Sequence, residues 1–464
     1  MRRGEGPLAS GTLSDPPRWV GGDDFALLTD LYELTMLQAY WRERMEEEAA
    51  FSLYFRTLPA GRNYMLACGL GDALRCLEHL RFTAEHLAFL DTLGYFRPDF
   101  LAWLAAFRFT GDVFALPEGT AVFAEEPLLE VVAPLPQAQL AETLVMNQVG
   151  FQTVLASKCA RVVTAAAGRP VVDFGLRRMH GADAGLKAAR AFHVAGAAAT
   201  SNLLAGLVYG VRVAGTMAHS YVQAHEDELA ALRAFARLYP ETTLLVDTYG
   251  TLEGVRKVAA LAAELGAEFR VRAVRLDSGD LGQLAKESRT ILDAAGLQEV
   301  EIFASGGLDE WVIADLLAVG APIDGFGVGT RMGVSADAPY LDLAYKLTAY
   351  AGKGRLKTAA GKRILPGRKQ IFRREADGEA VGDVIARAEE DLPGRPLLVP
   401  VMRRGRSLAG DATDPDASRE RAGREIGALP ARVRGLAPAD PPYPVEVSGA
   451  LREYAREVEA ERAR

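Results

Sequence analysis

The feature that most constrains the fold is an alternation of strand-like and helix-like segments that begins near Val171. Short β-branched runs precede amphipathic stretches that end in glycine, and strand starts recur about every thirty residues, the length of one βα unit. The strand-like runs are residues 171–175, 211–217, 242–249, 269–276, 300–304 and 325–329, and the helical stretches are residues 182–195, 226–238, 252–265, 281–295 and 309–319. Roughly six or seven such units predict a parallel α/β sheet, most economically a closed or nearly closed barrel.

The segments on either side of this repeat have a different pattern. Residues 25–155 mix helices with short strands, as an α+β domain does, and residues 375–440 combine short strands with a polar connection. Residues 448–462 predict a terminal helix with Ser448 as its N-cap. We therefore expect a flexible tail (1–24), an N-terminal α+β domain (25–155), the barrel (156–374) and a C-terminal segment (375–464) that completes the α+β domain.

The charge of the chain is unevenly distributed. The 464 residues carry 53 Lys and Arg against 61 Asp and Glu, a net −8. Only nine of the basic residues are lysines, and five of those lie in residues 343–374, which hold ten basic and no acidic residues. Removing those ten positive charges leaves about −18 on the rest, which argues against nucleic acid as a partner and favours one local anion site.

Neither a disulfide framework nor a membrane span is expected. The three cysteines lack the number and spacing of a disulfide framework or a zinc site, so free buried thiols in a reducing cytoplasm are predicted. Residues 194–211 carry no charge, but polar residues and three glycines interrupt them. This composition predicts a buried helix–loop–strand junction and no membrane partner.

The chemistry-bearing residues follow the predicted strands. Reactive groups of a parallel barrel lie at the carboxyl ends of its strands. The residues at those ends are Phe174, Arg177, Arg178, residues 215–220, Asp247, residues 275–280, residues 305–307 and residues 327–331. The last two groups are glycine-rich turns that can present backbone N–H groups to a phosphate, although such turns are weak evidence alone.

Arg275 and Asp277 are two apart on a strand and point the same way. With Asp280 they could hold a diphosphate and its Mg²⁺ ion, since Mg²⁺ is usually held by one or two carboxylates plus substrate oxygens. The alternative is an ion-pair cluster at the surface.

His219 follows an apolar run within a Gly-Thr turn. Asp247, at the same level of the next strand, could accept from the ring N–H and leave the other nitrogen basic enough to attack phosphorus. A purely structural histidine is the competing interpretation.

A set of motifs together resembles the nicotinate phosphoribosyltransferase family of type II phosphoribosyltransferases. The motifs occur in the family's order from residue 25 to about 374, at residues 28–36, 173–178, 215–220, 245–249, 275–280, 345–347, 365–367 and 369–370. The resemblance implies an irregular, incomplete parallel α/β barrel beside an α+β domain built from N-terminal and post-barrel segments. It also implies that nicotinate and 5-phosphoribosyl 1-diphosphate give nicotinate mononucleotide and diphosphate. This is the first step of NAD synthesis from nicotinate, driven by ATP with Mg²⁺ through a phosphohistidine.

The resemblance also implies roles for individual residues. His219 matches the phosphorylated histidine, and Asp247 matches the carboxylate that orients it. Phe174 and Tyr32 would sandwich the pyridine ring, with Tyr32 reaching in from the other subunit of a homodimer. The remaining implied contacts are Arg177, Ser201, Thr216 and Arg275 for nicotinate, and Arg275, Asp277, Ser305, Gly306, Gly307, Gly329 and Thr330 for phosphoribosyl diphosphate.

Two alternatives stay open at this point. The nicotinamide-using relative carries an acidic residue where this chain has Ser201, and a serine can donate to the nicotinate carboxylate that an acid would repel. A phosphate-binding barrel without turnover could dispense with His219 and Asp247. Gly250 and Ala199 depart from the family's usual Asp and Gly, near the expected site.

The basic stretch acquires a role from this resemblance. Following the last predicted strand, it would form a cationic wall for phosphoribosyl diphosphate, ATP and nicotinate, which are all anions. Lysine is a flexible point charge that suits such a wall. Lys346, Lys357 and Lys369 are candidate phosphate or ATP contacts, with Lys357, Lys362 and Lys369 balanced between that role and a solvated loop.

Overall fold

The structure is a computed structural model that describes residues 20–357, 364–408 and 410–462. The expected tail falls mostly before residue 20, and Lys362 also lies outside the described residues. The N-terminal elements are α1 (Leu31–Glu43), β1 (Glu48–Phe55), β2 (Met65–Leu66), α2 (Leu70–Glu78), α3 (Ala84–Thr92), α4 (Pro98–Ala105), β3 (Asp112–Ala115), β4 (Ala121–Val122), β5 (Leu129–Pro134), α5 (Leu135–Leu140) and α6 (Glu142–Ala165).

The βα repeat follows α6. Its elements are β6 (Val171–Asp173), α7 (Ala182–Val194), β7 (Ala199–Thr200), α8 (Leu203–Tyr209), α9 (His219–Gln223), α10 (Glu228–Leu238), β8 (Thr243–Leu245), α11 (Thr251–Leu265), β9 (Ala273–Leu276), α12 (Leu281–Ala294), β10 (Glu301–Ser305), α13 (Glu310–Ala318), β11 (Gly325–Val328) and α14 (Thr330–Gly333). Short 3₁₀ helices at Leu176–Arg178 and Gly266–Glu268 interrupt the repeat. The helices predicted from the repeat are confirmed to within a few residues.

The C-terminal part is mostly β. It contains β12 (Leu343–Tyr350), β13 (Lys353–Gly354), β14 (Lys369–Ala376), β15 (Glu379–Arg387), β16 (Arg395–Pro396), β17 (Val399–Arg403), β18 (Arg406–Ser407), α15 (Pro415–Ala428), α16 (Ala431–Arg434), β19 (Val445–Val447) and α17 (Gly449–Arg462). Ser448 caps α17 as predicted, because its Oγ accepts from the N–H of Leu451 over 3.0 Å.

One sheet of parallel strands carries the repeat, in the order β7-β6-β11-β10-β9-β8. The edge strands β7 and β8 do not pair with each other, so the predicted barrel is confirmed in its incomplete form. The expected strand at residues 211–217 is wrong: the short β7 takes the place beside β6, and the run contributes a single bridge from Val213 to Thr200.

A second sheet joins distant parts of the chain. Its order is β13-β12-β1-β5-β3-β17-β18, so strands from before and after the parallel sheet share one antiparallel layer. This confirms an α+β domain built from N-terminal and post-barrel segments. The basic stretch begins inside this layer, because β12 pairs with β1 from Ala49–Tyr350 to Phe55–Leu343. The exact domain boundaries stay a prediction.

Helix α6 connects the two sheets. It spans 24 residues and is buried on most of its circumference, which is typical of a helix inside a large core. Two large clusters of buried side chains meet along it, one under the parallel sheet and one under the antiparallel sheet. Across the ranges described, no helix has both the length and the apolar character needed to cross a membrane. Cys68, Cys76 and Cys159 are free and buried, as predicted.

Candidate active site

The carboxyl ends of the parallel strands bring most of the predicted residues together. Phe174 follows β6, Asp247 lies two residues beyond β8, and Asp277 directly follows β9. Ser305 ends β10, and Gly329 follows β11. All five lie at one edge of the sheet, where the loops and helix starts of such a fold converge.

Asp247 joins two neighbouring strand ends. Its Oδ2 atom accepts from the backbone N–H of Asp277 over 2.9 Å and from the Ser278 hydroxyl over 2.7 Å. Its Oδ1 atom is buried and has no hydrogen-bond partner among the described residues. A buried carboxylate oxygen left open in this way is available to a ligand or a metal ion.

His219 begins α9 and has a half-exposed side chain. Its Nδ1 atom lies 3.2 Å from the Thr248 hydroxyl, and its Nε2 atom lies 3.9 Å from Asp277 Oδ2. Among the described residues the expected bond from the ring to Asp247 is absent: Nδ1 meets Thr248, and the bonded oxygen of Asp247 holds the loop after β9. Thr248 therefore orients the ring.

Arg275 lies at the centre of the site. Its Nη1 donates to the Thr216 hydroxyl over 2.6 Å, and its guanidinium carbon lies 5.9 Å from the centre of the Phe174 ring. Burial lowers the pKa of Arg275 below its ordinary value, opposed by the charges of Asp277 and Asp247. Its Nε atom is buried without a partner among the described residues, so the guanidinium retains a donor for an anion.

The Phe174 ring packs against β10 and β11 of the parallel sheet. It is tilted 52° to the Phe303 ring at a centroid distance of 6.2 Å. A Cβ atom on Gly327 would lie 2.5 Å from the Phe174 ring, so that glycine makes room for the ring. We expected residues 327–331 to present N–H groups to phosphate, and the structure adds this packing role for Gly327.

Asp173 fixes the loops that carry Phe174 and Ser201. Its carboxylate accepts from the N–H of Gly175 over 2.8 Å and from the Thr200 hydroxyl over 2.7 Å. The N–H of Ser201 donates to the Asp173 carbonyl over 2.9 Å. Burial raises the pKa of Asp173 above its ordinary value. Ser201, half-buried, thus follows the strand that pairs with the one before Phe174, while Arg177 is exposed on the adjoining 3₁₀ helix.

The turn of residues 305–307 is locked against Asp277. The Ser305 hydroxyl donates to Asp277 Oδ1 over 2.5 Å. Gly306 has φ +89°, and a Cβ there would lie 1.9 Å from the Asp277 carbonyl oxygen. Gly307 has φ +64° with open space around it. Only glycine fits this close approach, which leaves the turn free of side chains in front of α13.

Residues Gly329 and Thr330 form the neighbouring turn. Gly329 lies against the Phe174 carbonyl, where a Cβ would be 3.2 Å from the oxygen, and Thr330 is exposed at the start of α14. Asp280 has a different place: its carboxylate accepts from the N–H of Gln283 over 3.1 Å and caps α12.

Two of the candidate lysines pair with carboxylates elsewhere in the fold, whereas Lys357 and Tyr32 are exposed. Lys369 is buried, with Nζ 3.2 Å from Glu130 Oε1 and 2.8 Å from the Gly367 carbonyl oxygen. Lys346 Nζ lies 3.7 Å from Glu142 Oε1, while Lys357 is exposed. Tyr32 is 46% exposed on α1. The chain by itself does not bring these side chains into the hydrogen-bonded set at the strand ends.

Comparison with known families agrees with this geometry. The sequence model of the nicotinate phosphoribosyltransferase (NAPRTase) N-terminal domain matches residues 27–150, and that of the NAPRTase family matches residues 170–383. The chain belongs to the nicotinate phosphoribosyltransferase family.

Individual relatives extend the match over nearly the whole chain. Nicotinate phosphoribosyltransferase pncB2 of Mycobacterium tuberculosis is 57% identical over 423 residues, covering 91% of each chain. The Bacillus subtilis nicotinate phosphoribosyltransferase is 39% identical over 381 residues, covering 80% of this chain and 78% of the relative. The crystal structure of human nicotinic acid phosphoribosyltransferase superposes with a TM-score of 0.81 at 30% identity, covering 92% of this chain and 99% of that one.

The family resemblance inferred from the motifs is thereby confirmed, and the structure adds residues that the motifs did not single out. Thr248 lies inside a family motif next to Asp247, so adjacency was the available signal. Asp173 and Thr200 bond across two strands that are 27 residues apart in the chain, and nothing local in the sequence indicates that contact.

Proposed function

We propose that this chain joins nicotinate to 5-phosphoribosyl 1-diphosphate, giving nicotinate mononucleotide and diphosphate in NAD biosynthesis from nicotinate. One observation carries the proposal: the half-buried Arg275 guanidinium, with an open donor, lies 5.9 Å from the centre of the Phe174 ring and within reach of the charges of Asp277 and Asp247. Such a site can bind a planar aromatic acid on one side and a ribosyl diphosphate on the other.

Nicotinate would lie over Phe174 with its carboxylate toward cationic and hydroxyl donors. Arg275 supplies a charged donor, Ser201 a neutral one, and the Arg177 charge acts on Arg275 closely enough to lower its pKa further. Because no acidic side chain stands at Ser201, the arrangement favours the acid over nicotinamide. The nitrogen of the nicotinate ring would then face the ribosyl centre. Contacts to the ring and to the carboxylate would hold nicotinate in that position.

Phosphoribosyl diphosphate would occupy the glycine-rich turns. The backbone N–H groups of Gly306 and Gly307 precede α13, while Gly329 precedes α14 and Thr330 begins it, so both turns can face the 5′-phosphate. The ribosyl centre becomes cation-like as the C–O bond to diphosphate breaks and the C–N bond to nicotinate forms. Positioning and charge neutralisation of the leaving group therefore carry most of the rate.

ATP coupling is assigned to His219. A ring nitrogen would attack the γ-phosphorus of ATP, ADP would leave, and the phosphohistidine would be hydrolysed during the cycle. The Thr248 hydroxyl holds Nδ1 at 3.2 Å and thereby fixes the orientation of the ring. Asp247 supports this step through the loop of Asp277, which faces the other nitrogen.

Asp247 and Asp277 suit Mg²⁺ better than Asp277 and Asp280, the pair predicted from sequence. The described residues contain no group of three or more His, Cys, Asp or Glu side chains that could hold a metal unaided. Asp247 Oδ1 is open, whereas Asp280 caps a helix. We assign Asp277 and Asp247 to hold the ion together with substrate oxygens, where it would supply positive charge against the diphosphate.

A homodimer with shared sites would supply Tyr32. The side chain is half-exposed on α1, next to the exposed Leu28 and Leu31, and it belongs to a family motif. In the dimer it would cover the second face of the nicotinate ring from the partner.

Product formation tests this function. Purified protein with nicotinate, phosphoribosyl diphosphate and Mg-ATP should form nicotinate mononucleotide, and nicotinamide in place of nicotinate should give far less product. γ-labelled ATP should leave an acid-labile, alkali-stable label on the wild type and none on His219→Ala. Absence of nicotinate mononucleotide would refute the function, whereas undiminished ATP stimulation in His219→Ala would refute only the phosphohistidine assignment.

A further inference from the structure

Five charged side chains form a largely buried cluster against α6, close to the predicted phosphate turns. The members of this α6 ion cluster are Arg62, Lys158, Arg161, Glu310 and Asp337. None belongs to the motifs that identified the family or to the site described above. All except Asp337 are almost fully buried.

Lys158 is the centre of the cluster. Its side chain is 3% exposed, and its Nζ atom lies 2.5 Å from Glu310 Oε2 and 2.7 Å from Asp337 Oδ1. Arg161 holds the other oxygen of Glu310 at 3.0 Å, and Arg62 makes two contacts with Asp337, at 2.7 and 3.2 Å. One ammonium group therefore joins two carboxylates that come from different segments.

Those two carboxylates lie just beyond the two glycine-rich turns. Glu310 is the first residue of α13, which follows the turn of residues 305–307. Asp337 follows α14, which begins after Gly329, and backbone bonds from Ser335 to Met332 and from Ala336 to Arg331 fix it to that helix. Lys158 thus holds the start of α13 and the segment that follows α14 to the same point on α6.

A second ion pair links the starts of α13 and α14 directly. Arg331 Nη1 donates to Asp309 Oδ2 over 2.7 Å, while the other oxygen of Asp309 accepts from the N–H groups of Trp311 and Val312. Two sets of ion pairs therefore fix the relative position of the two turns: the Arg331–Asp309 pair at the surface and the α6 ion cluster in the interior.

The cluster is better explained by positioning than by stability alone. Replacing a buried ion pair with apolar side chains is often neutral or stabilising, so the cluster is not needed to fill the core. Its five members comprise three cations and two carboxylates, and the surplus positive charge lies behind the start of α13. Positive charge at that place favours an anion at the helix start.

We propose that Lys158 is a positioning residue for phosphoribosyl diphosphate: by anchoring Glu310 and Asp337 it keeps the two glycine-rich turns at the spacing that one phosphate group requires. The inference rests on the proposed function. Lys158 touches no substrate, and it acts through the start of α13 and the segment that follows α14. It is one of the four lysines outside the basic stretch, which was the expected source of phosphate contacts.

The test compares Lys158→Met and Asp337→Asn with the wild type. Asp337→Asn keeps the side-chain shape at a partly exposed position, so it serves if Lys158→Met does not fold. We expect the Kd and KM for phosphoribosyl diphosphate to rise about tenfold, with kcat and the KM for nicotinate within about twofold. Lys257→Met is the matched control, since it removes a 2.7 Å ion pair to Glu228 between α11 and α10. It should leave both constants unchanged.

The outcomes separate the two proposals. Equilibrium dialysis with labelled phosphoribosyl diphosphate measures Kd without turnover. If the wild type binds the compound and a folded variant binds it equally well, the positioning role is wrong while the proposed function stands. A fall in kcat with unchanged KM and Kd would also overturn it, because a purely structural role lowers only the active fraction. Failure of the wild type to bind or to form product would refute the proposed function itself.

Discussion

The backbone N–H of Asp277 donates to the Oδ2 atom of Asp247 over 2.9 Å, which joins the carboxyl ends of β8 and β9. The same Asp247 oxygen accepts from the Ser278 hydroxyl, so one carboxylate shapes the whole loop after β9. The loop in turn places Asp277 beside His219 and Ser305. Asp247 thus has two separable properties, its hydrogen-bond acceptor and its charge.

Two substitutions separate these properties. Asp247→Asn keeps an acceptor oxygen, so we expect its free energy of unfolding to stay within about 1 kcal/mol of the wild type, while kcat/KM falls by about a hundredfold. Asp247→Ala also leaves the N–H of Asp277 and the Ser278 hydroxyl without a partner, which should cost a further 1–3 kcal/mol or so. Urea unfolding and steady-state kinetics measure both effects. Equal losses of stability in the two variants would contradict this separation.

The turn of residues 305–307 gives a matched pair of glycine substitutions. Gly306→Ala would place a methyl group 1.9 Å from the Asp277 carbonyl oxygen at φ +89°, whereas Gly307→Ala meets no atom within 4 Å at φ +64°. We expect Gly307→Ala to lose about 1 kcal/mol of stability from backbone strain, and Gly306→Ala to lose at least twice as much. Only Gly306→Ala should also displace Asp277 and reduce activity by about tenfold or more. Thermal unfolding and product assays check both, and similar behaviour of the two variants would refute the close approach.

Local sequence patterns predicted the parts of this fold that depend on local periodicity. Helix α11 is amphipathic along its length and ends at Leu265, directly before Gly266, so its bounds could be predicted from neighbouring residues. The strand at residues 211–217 was wrong because strand identity depends on which segment pairs with β6, and the two-residue β7 has no pattern of its own. Long-range pairing decides such short edge strands.

The same limit applies to the site. The strand-end residues could be predicted because a parallel sheet places them at one edge whatever the details of packing. The environment of Lys369 could not be predicted, since its partner Glu130 is 239 residues away on β5. This contact places a candidate phosphate ligand in a buried ion pair. The partner of His219 depended on side-chain geometry within a predicted motif, where Thr248 and Asp247 were equally available.

The Asp173–Thr200 bond predicts a residue that controls nicotinate affinity. Thr200→Val removes the hydroxyl that donates to Asp173 and that accepts from the N–H of Asn202. The loops bearing Phe174 and Ser201 should loosen, raising the KM for nicotinate about five- to tenfold with little change in the KM for phosphoribosyl diphosphate. Thr200→Ser retains the hydroxyl and should behave as the wild type. Equal changes in both KM values would point to general destabilisation instead.

Glu33 predicts a pH dependence of stability. The side chain is buried on α1, where Gln139 donates to one oxygen over 2.9 Å. Burial raises its pKa from 4.5 to about 7, with the Gln139 bond opposing and the Glu142 charge adding to the rise. A carboxyl with a raised pKa contributes stability below pH 4.5 or so and loses that contribution as the pH rises through about 7.

The free energy of unfolding should therefore fall by about 1–3 kcal/mol between pH 5 and 8 in the wild type relative to Glu33→Gln. Glu43→Gln, at the exposed end of the same helix, is the control and should follow the wild-type curve. Urea unfolding at several pH values measures the difference. Parallel curves for the wild type and Glu33→Gln would show that Glu33 does not titrate in this range.

The proposed sharing of sites between subunits can be tested by mixing two inactive variants. Tyr32→Ala should weaken nicotinate binding because it removes one face of the ring sandwich, and Phe174→Ala removes the other face. If Tyr32 acts in the partner's site, a hybrid of the two variants contains one site with both defects and one site with neither. Unfolding and refolding the variants together should then restore up to about a quarter of wild-type activity, because about half of the dimers are hybrids and each has one intact site. Either variant refolded alone is the control. No gain on mixing, with hybrids shown by differently tagged chains, would place Tyr32 outside the partner's site.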